Sequence, residues 1–164
     1  MLFYIIPISL FLIGMILFAI LQKDNYLEKI QWLPKEEILF EDPQCAFQSV
    51  VSIGRPTYYP MGHACITNER IILAQRGWLG KKRFLRFVIP YGRQQDPEEN
   101  LGYIKTAFKT GHILFRSSPS DIHWKSGQKK PTLLIASSKN DSGFEVTGVL
   151  LFSSKENDLK RFFP

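Results

Sequence analysis

The feature that most constrains this chain is an apolar run at its start. From Leu2 to Leu21, 17 of 20 positions are apolar and none is charged. A helix of this length spans about 30 Å, which matches the hydrocarbon core of a bilayer. The pattern predicts a transmembrane helix over residues 1–21. Because no basic residue precedes the run and no small-residue cleavage site ends it, we interpret it as an uncleaved anchor rather than a signal peptide.

Basic residues flank the run on one side only. Lys23, Lys29 and Lys35 follow it, and no Lys or Arg precedes it. This asymmetry favours a single-pass membrane protein whose C-terminal domain lies on the cytoplasmic side. We expect residues 22–33 to form a juxtamembrane linker with a short helix that continues the span and ends before Pro34. Residues 34–164 are long enough for one domain.

The rest of the chain has a strand pattern. From Glu36 onward the apolar runs are short, rich in β-branched and aromatic residues, and bounded by turn residues. The predicted fold is therefore mainly β, an antiparallel sandwich or partly open barrel with a short C-terminal helix, preceded by one transmembrane helix. The predicted strands lie near 38–40, 46–53, 62–67, 70–75, 83–90, 103–108, 112–116, 122–124, 133–137 and 144–152.

Local signals place two hairpins and one helix. The residues from Thr67 to Arg70 and residues 140–143 are short polar turns between apolar runs, and we expect Asn68 to adopt the left-handed conformation of a tight hairpin. Ser153 precedes Glu156 at the spacing of a capping box, which predicts a helix there. The predicted core comprises Ile66, Ile71, Leu73, Leu85, Phe87, Ile89, Leu134, Val149, Leu151 and Phe162.

One motif resembles a known family. Residues 62–73 read Gly-x-x-x-Ile-Thr-Asn-x-Arg-Ile-Ile-Leu, and after a basic loop residues 87–91 read Phe-Val-Ile-Pro-Tyr. This pattern resembles that of the GRAM and bacterial PH-like domains, and the order of the later strands and terminal helix is similar over about residues 34–164. The resemblance implies a seven-stranded PH-like sandwich or partly open barrel that binds lipids or proteins and has no catalytic residues.

Charge is segregated along the chain. Residues 22–42 hold three bases and six acids, whereas residues 70–93 hold seven bases and no acid. A basic loop with an aromatic tip suits a surface of anionic headgroups. The alternative is a solvated loop whose Trp78 folds back on the domain. The candidate residues for binding lipid or a protein partner are Arg76, Trp78, Leu79, Lys81, Lys82, Arg83 and Arg86.

Motifs for chemistry are weak. His63 and Cys65 share one face of a strand and Cys45 could lie on a neighbouring strand, but no Cys-x-x-Cys accompanies them. We therefore expect free thiols, an exposed imidazole and no metal. No nucleophile turn or phosphate-binding loop is present, so we expect no cofactor and no enzymatic activity.

The predicted function is that of a membrane-anchored, non-enzymatic binding module that contacts anionic lipid or a membrane-associated protein partner. Its expected partners are therefore the lipid bilayer and, as an open possibility, a membrane protein. Nucleic acid is disfavoured because Phe84 and Phe87 alternate like strand core rather than forming a stacking surface. The alternative function is a structural accessory subunit of a larger membrane protein complex.

Overall fold

The computed structural model describes residues 2–21, 26–30, 32–52, 54–77, 82–90, 115–125, 131–137 and 146–164. Within these ranges the structure is mainly β, with few helices. The elements are helix α1 (Leu2–Leu21), strands β1 (Ile38–Val51), β2 (Tyr58–Thr67), β3 (Arg70–Arg76), β4 (Arg83–Pro90), β5 (Ile122–Lys125), β6 (Thr132–Ala136) and β7 (Val146–Phe152), and helix α2 (Glu156–Leu159), with single 3-10 turns at Leu27–Lys29 and Pro119–Asp121.

The described strands form one seven-stranded sheet in the order β4-β3-β2-β1-β7-β6-β5. All neighbouring strands pair antiparallel, as the strand pattern predicts. The two strands predicted at 38–40 and 46–53 are one continuous strand, β1, which carries irregularities between Asp42 and Cys45 and between Cys45 and Phe47. The predicted strand at 103–108 lies outside the described residues. Of the predicted strand at 112–116, only residues 115 and 116 are described, and they do not lie in a strand.

Both predicted hairpins connect antiparallel strands. The Thr67 to Arg70 turn joins β2 to β3, and β6 pairs with β7 although residues 140–143 lie outside the described part. The expected left-handed conformation of Asn68 is wrong, because only Lys35 and Met61 have positive φ among the described non-glycine residues. Asn68 instead uses its side chain: Oδ1 accepts from the Glu37 backbone N–H at 2.9 Å and Nδ2 donates to the Lys35 carbonyl at 3.1 Å.

The sheet curls around one apolar core on its inner face. The ring of Phe47 on β1 lies 5.6 Å from that of Phe87 on β4, and Tyr59 on β2 lies 5.4 Å from the same ring. Strands β1 and β4 are three positions apart, roughly 14 Å in a flat sheet, so the contact requires strong curvature. Gly62 permits the close packing, since a Cβ there would lie 2.8 Å from Phe47 Cδ1.

The outer face of β2, β3 and β4 carries a second apolar cluster. Residues 26–30, here called the outer strap, cover it: Leu27 and Ile30 are buried, and Tyr26 forms a backbone bridge with Phe84. Instead of the expected juxtamembrane helix, this segment has one 3-10 turn packed on the sheet. The sheet residues beneath the strap are Cys65, Ile72, Ala74, Leu85 and Val88.

The C-terminal helix differs from its prediction. Helix α2 has four residues, and its N-cap is Lys155 without a side-chain cap, so the capping box at Ser153 is wrong. Ser153 Oγ instead donates to Asp42 Oδ2 at 2.5 Å. Phe162 is 39% exposed while Phe163 is buried, so Phe163 and not Phe162 contributes to the core. Of the other predicted core residues, Leu134 is only half-buried and the rest are buried.

Helix α1 contradicts the largest prediction. Its side chains are described over residues 7–16 only, and all of these are exposed. Within the described part of the chain, no helix has both the length and the apolarity that a membrane span requires. The predicted transmembrane anchor over residues 1–21 and the single-pass membrane localisation that depends on it are therefore wrong.

Candidate functional site

The residues predicted as a binding site have three different environments among those that the structure describes. Trp78, Leu79 and Lys81 lie outside the described residues. Arg76 at the end of β3 and Lys82 just before β4 are exposed. The Lys82 ammonium lies 4.9 Å from the centre of the Tyr26 ring, a cation–π contact with the outer strap.

Arg83 is held in an ion network on the outer face. Its Nε donates to Glu28 Oε1 of the outer strap at 2.8 Å, and its Nη1 lies 3.1 Å from His63 Nδ1. His63 Nε2 lies 2.8 Å from Glu41 Oε1. A neutral imidazole with its proton on Nε2 satisfies both contacts, donating to Glu41 and accepting from Arg83. Arg83 is thus matched by acids of this chain.

His63 itself is buried, which corrects the expectation of an exposed imidazole. Burial lowers the pKa of His63, and the positive charge of Arg83 lowers it further, while Glu41 opposes the change. The side chain is therefore neutral near pH 7. It stabilises the outer face as an uncharged hydrogen-bonding group.

Arg86 faces the inner side of the sheet and is half-buried. Its Nε donates to Gln75 Oε1 at 3.2 Å, and its guanidinium carbon lies 5.7 Å from the Tyr59 ring centre and 6.0 Å from that of Phe84. Aromatic faces and an amide oxygen therefore hold this base in place. The predicted basic residues do not converge on one point: Arg83 and Arg86 are engaged within the domain, whereas Arg76 and Lys82 face solvent.

The Thr-Asn-x-Arg motif has a structural role. Arg70 is fully buried, and its Nε and Nη2 donate to the two carboxylate oxygens of Glu36, each at 2.8 Å. Thr67 Oγ1 donates to Glu36 Oε1, and the Leu33 backbone N–H donates to Glu36 Oε2, both at 2.8 Å. This buried, bidentate ion pair fastens the segment that precedes β1 onto the β2–β3 hairpin.

The candidate metal ligands lie on opposite faces of the sheet. Cys45 belongs to the inner core, whereas Cys65 belongs to the outer cluster beside His63. Burial raises the pKa of each thiol to about 12, aided by the negative charges of Asp42 at Cys45 and of Glu41 and Glu36 at Cys65. The two thiols are not joined in a disulfide. Among the described residues, no three potential metal ligands come together.

An open groove of about 970 Å³ crosses the outer face where β1 is irregular. It begins at Arg76, the last residue of β3, and at Gly77 after it, passes over β2 and β1, and reaches Phe152 on β7. Its lining includes two large exposed side chains, Tyr58 at 56% and Met61 at 48% exposure. The rings of Tyr58 and Phe152 meet edge to face with centres 6.4 Å apart.

The wall of the groove near the C-terminus is fixed by Asp42. This buried carboxylate accepts hydrogen bonds from Ser153 Oγ, from the Gln44 backbone N–H at 2.9 Å and from the Ser154 backbone N–H at 3.1 Å. Burial alone would raise the pKa of Asp42, but these hydrogen bonds lower it below its ordinary value. The Asp42 contacts hold the irregular part of β1 against the turn that precedes α2.

Sequence reasoning missed the groove. Tyr58, Met61 and Phe152 drew no attention because each is an ordinary strand residue in the sequence. Two signals could have indicated them. Tyr58 and Tyr59 are adjacent, and adjacent residues of a strand point to opposite faces, so one of the two must face outward. Met61 lies between Pro60 and Gly62, which break the strand pattern. Only the register of β2 against β1 shows that Tyr58 is the exposed one.

Comparison with models of known families, with curated proteins and with solved structures found no match to this chain. The assignment of function therefore depends on the geometry of the outer face and of the β3–β4 end of the sheet.

Proposed function

We propose that the β domain is a non-enzymatic binding module with PH-like architecture, and that its ligand is an anionic lipid headgroup bound at the β3–β4 end of the sheet. The observation that carries this proposal is the pairing of Arg76 directly opposite Arg83 in the β3–β4 ladder. Like charges that face each other across a ladder destabilise the pairing, so an anion beside each base would stabilise it. Glu28 supplies one for Arg83.

Arg76 has no such partner within the described part of the chain. None of the ion pairs found there includes Arg76 or its exposed neighbour Lys82. Lys81 adds a further base next to Lys82 in the sequence. An external anion at this end would stabilise Arg76 as Glu28 stabilises Arg83. An anionic bilayer surface attracts each nearby base by about 1 kcal/mol.

The strand order supports the same proposal. A four-stranded meander followed by a three-stranded meander, with β1 joined to β7 and a short helix at the end, is compatible with the PH-like fold that the Gly62 to Tyr91 pattern resembles. The motif residues Gly62, Thr67 and Arg70 hold the scaffold together. Binding specificity therefore belongs to the loops and the outer face rather than to the motif.

Binding of the full chain to vesicles tests this function. We expect more binding to vesicles of phosphatidylserine and phosphatidylcholine than to phosphatidylcholine alone, and loss of the difference at high salt. Replacing Arg76 and Lys82 together by Ser should lower the anionic preference by about 25-fold, since each base contributes about 1 kcal/mol. Replacing Lys125 and Arg161 by Ser removes the same charge elsewhere and is the matched control.

The control separates a specific face from general charge. If the Arg76/Lys82 variant and the Lys125/Arg161 variant lose the same amount of binding, the attraction belongs to the net charge of the chain and the proposed site is wrong. If neither wild type nor variants prefer anionic vesicles, the proposed function is wrong.

One observation favours a second candidate, a structural subunit that packs on a partner through α1. All described side chains of α1 are exposed, among them Leu10 at 64% and Phe11 at 68%. Contiguous exposed apolar surface of this kind commonly marks an interface. A companion protein that co-purifies in fixed ratio with the full chain, and is lost when Leu10 and Phe11 are replaced by Ser, would favour this candidate over the binding module.

A further inference from the structure

The groove on the outer face is an unassigned site next to Arg76. Its lining is mainly apolar, with Tyr58, Pro60, Met61 and Phe152 contributed by β2 and β7. At about 970 Å³ it lies at the upper end of the range of small-molecule sites, about 300–1,000 Å³. Large exposed aromatic and thioether side chains that cluster in one concave surface indicate a ligand with an apolar part.

The shape of the groove is built into strands rather than loops. The irregular register of β1 between Asp42 and Phe47 moves the strand away from regular pairing, and Met61 opposite it has a φ of 54°. Such a backbone conformation in a non-glycine residue persists only where the surrounding structure maintains it. The hydrogen bonds to Asp42 fix the opposite wall, so the groove exists before any ligand arrives.

The charges along the groove determine the polarity of its occupant. Among the described residues, two charged side chains line it, Arg76 and Glu156. Lys160 forms an ion pair with Glu156, so the negative charge is already matched. Arg76 has no acid within ion-pair distance among the residues that the structure describes. The groove therefore complements a ligand that is apolar along its length and negative at the β3 end.

We infer that the groove binds a single-chain lipid anion, with the carboxylate or phosphate at Arg76 and the hydrocarbon chain over Met61, Tyr58 and Phe152. This inference rests on the proposed function and extends it, because Arg76 belongs to both sites. The headgroup-binding end would then attract the anionic group of the lipid, and the groove would select for its hydrocarbon chain. No covalent step is involved.

Equilibrium dialysis of the full chain against labelled dodecanoate tests the inference. Dodecanoate should bind more tightly than hexanoate, by roughly fourfold for each methylene that enters the groove. Dodecanol, which has the same chain without a charge, should bind more weakly than dodecanoate because it offers Arg76 no anion. Lipid taken up by the exposed side chains of α1 is common to every variant and cancels in the comparison.

Two variants with matched controls locate the binding. Replacing Tyr58 by Ser should weaken dodecanoate binding about tenfold through lost apolar contact, and Arg76→Gln should weaken it about tenfold through lost charge. Phe162→Ser removes an exposed aromatic ring outside the groove, and Arg161→Gln removes an exposed base outside it. Both controls should bind dodecanoate as wild type does.

The outcomes separate this inference from the proposed function. If Tyr58→Ser binds dodecanoate as tightly as wild type, or if chain length has no effect, the inference is overturned even where vesicle binding depends on Arg76 and Lys82. An occupant of another class, such as an acidic apolar peptide, would give that result. If dodecanoate binding depends on Tyr58 while vesicle binding shows no anionic preference, the groove stands as a lipid site and the headgroup function is wrong.

Discussion

The outer face of the sheet has two apolar regions, which differ in whether the outer strap covers them. Over β2, β3 and β4, the outer strap covers the apolar side chains, and Ile72, Ala74 and Val88 are completely buried. At the other end of the same face, where β1 is irregular, Tyr58 and Met61 remain about half exposed. One region is closed by the chain itself and the other is open.

The difference separates a covered region, which contributes to stability, from the open region, to which we assign ligand binding in our proposal. Removing apolar surface from water stabilises the fold, and the strap does this for the closed region. Ion pairs from the strap and the segment after it, Glu28 with Arg83 and Glu36 with Arg70, hold that cover in place. The open region has the same apolar character, but no segment among the described residues covers it, and no ion pair found among them includes its cation Arg76. We therefore expect substitutions in the closed region to change stability and substitutions in the groove to change binding.

The largest effect is expected from Glu36, which holds the segment behind the strap. Replacing Glu36 by Ala leaves the fully buried Arg70 without its carboxylate, which should lower the free energy of unfolding by about 3–5 kcal/mol. Glu37→Ala is the control, because the Glu37 side chain is exposed and only its backbone contacts Asn68. Denaturant unfolding measures both. Equal losses for the two variants would contradict a special role for the buried pair.

A somewhat smaller effect is expected from Leu27 in the strap. Leu27→Ala should destabilise by about 2–4 kcal/mol, because it removes a buried side chain from the closed region and leaves a cavity. Leu39, which is 39% exposed, offers a matched leucine, and Leu39→Ala should cost much less. Thermal unfolding followed by circular dichroism compares them. A Leu27 variant as stable as the Leu39 variant would show that the strap does not close the face.

The closed region should also respond to pH through His63. Because its pKa is lowered in the folded state, the unfolded chain binds a proton that the folded chain resists. The free energy of unfolding should therefore fall as pH decreases from about 6.5, the ordinary histidine value, toward the lowered pKa. Above that window His63 is neutral in both states and contributes no pH dependence. His63→Gln should flatten this part of a stability-against-pH curve, and an unchanged slope would contradict the prediction.

The smallest change in stability is expected in the open region. Tyr58→Ser removes a side chain that is 56% exposed, so the free energy of unfolding should change by less than about 0.5 kcal/mol. The same variant should show the weakened dodecanoate binding described above. A large loss of stability would mean that Tyr58 closes the face rather than lining a site, and the contrast between the two regions would fail.

Several features of this molecule could be predicted from local sequence. Short apolar runs that are rich in β-branched and aromatic residues and bounded by turn residues place β2, β3 and β4 within a few residues of their observed ends, because these signals act over a few neighbouring positions. The polar turn from Thr67 to Arg70 predicts its hairpin for the same local reason. The prediction failed at α2, where Ser153 has the spacing of a cap but its hydroxyl bonds Asp42, a residue 111 positions away.

By itself, the sequence determined the antiparallel β character of the domain and the concentration of bases around the β3–β4 loop. Both depend on periodicity, turn chemistry and composition, which operate over a few residues. The tertiary structure decided which bases are matched and which apolar side chains are covered. Glu28 neutralises Arg83 across 55 positions of chain, and the strap closes one half of the outer face while the irregularities of β1 leave the other half open. These outcomes depend on contacts between segments far apart in the chain, which no local pattern specifies.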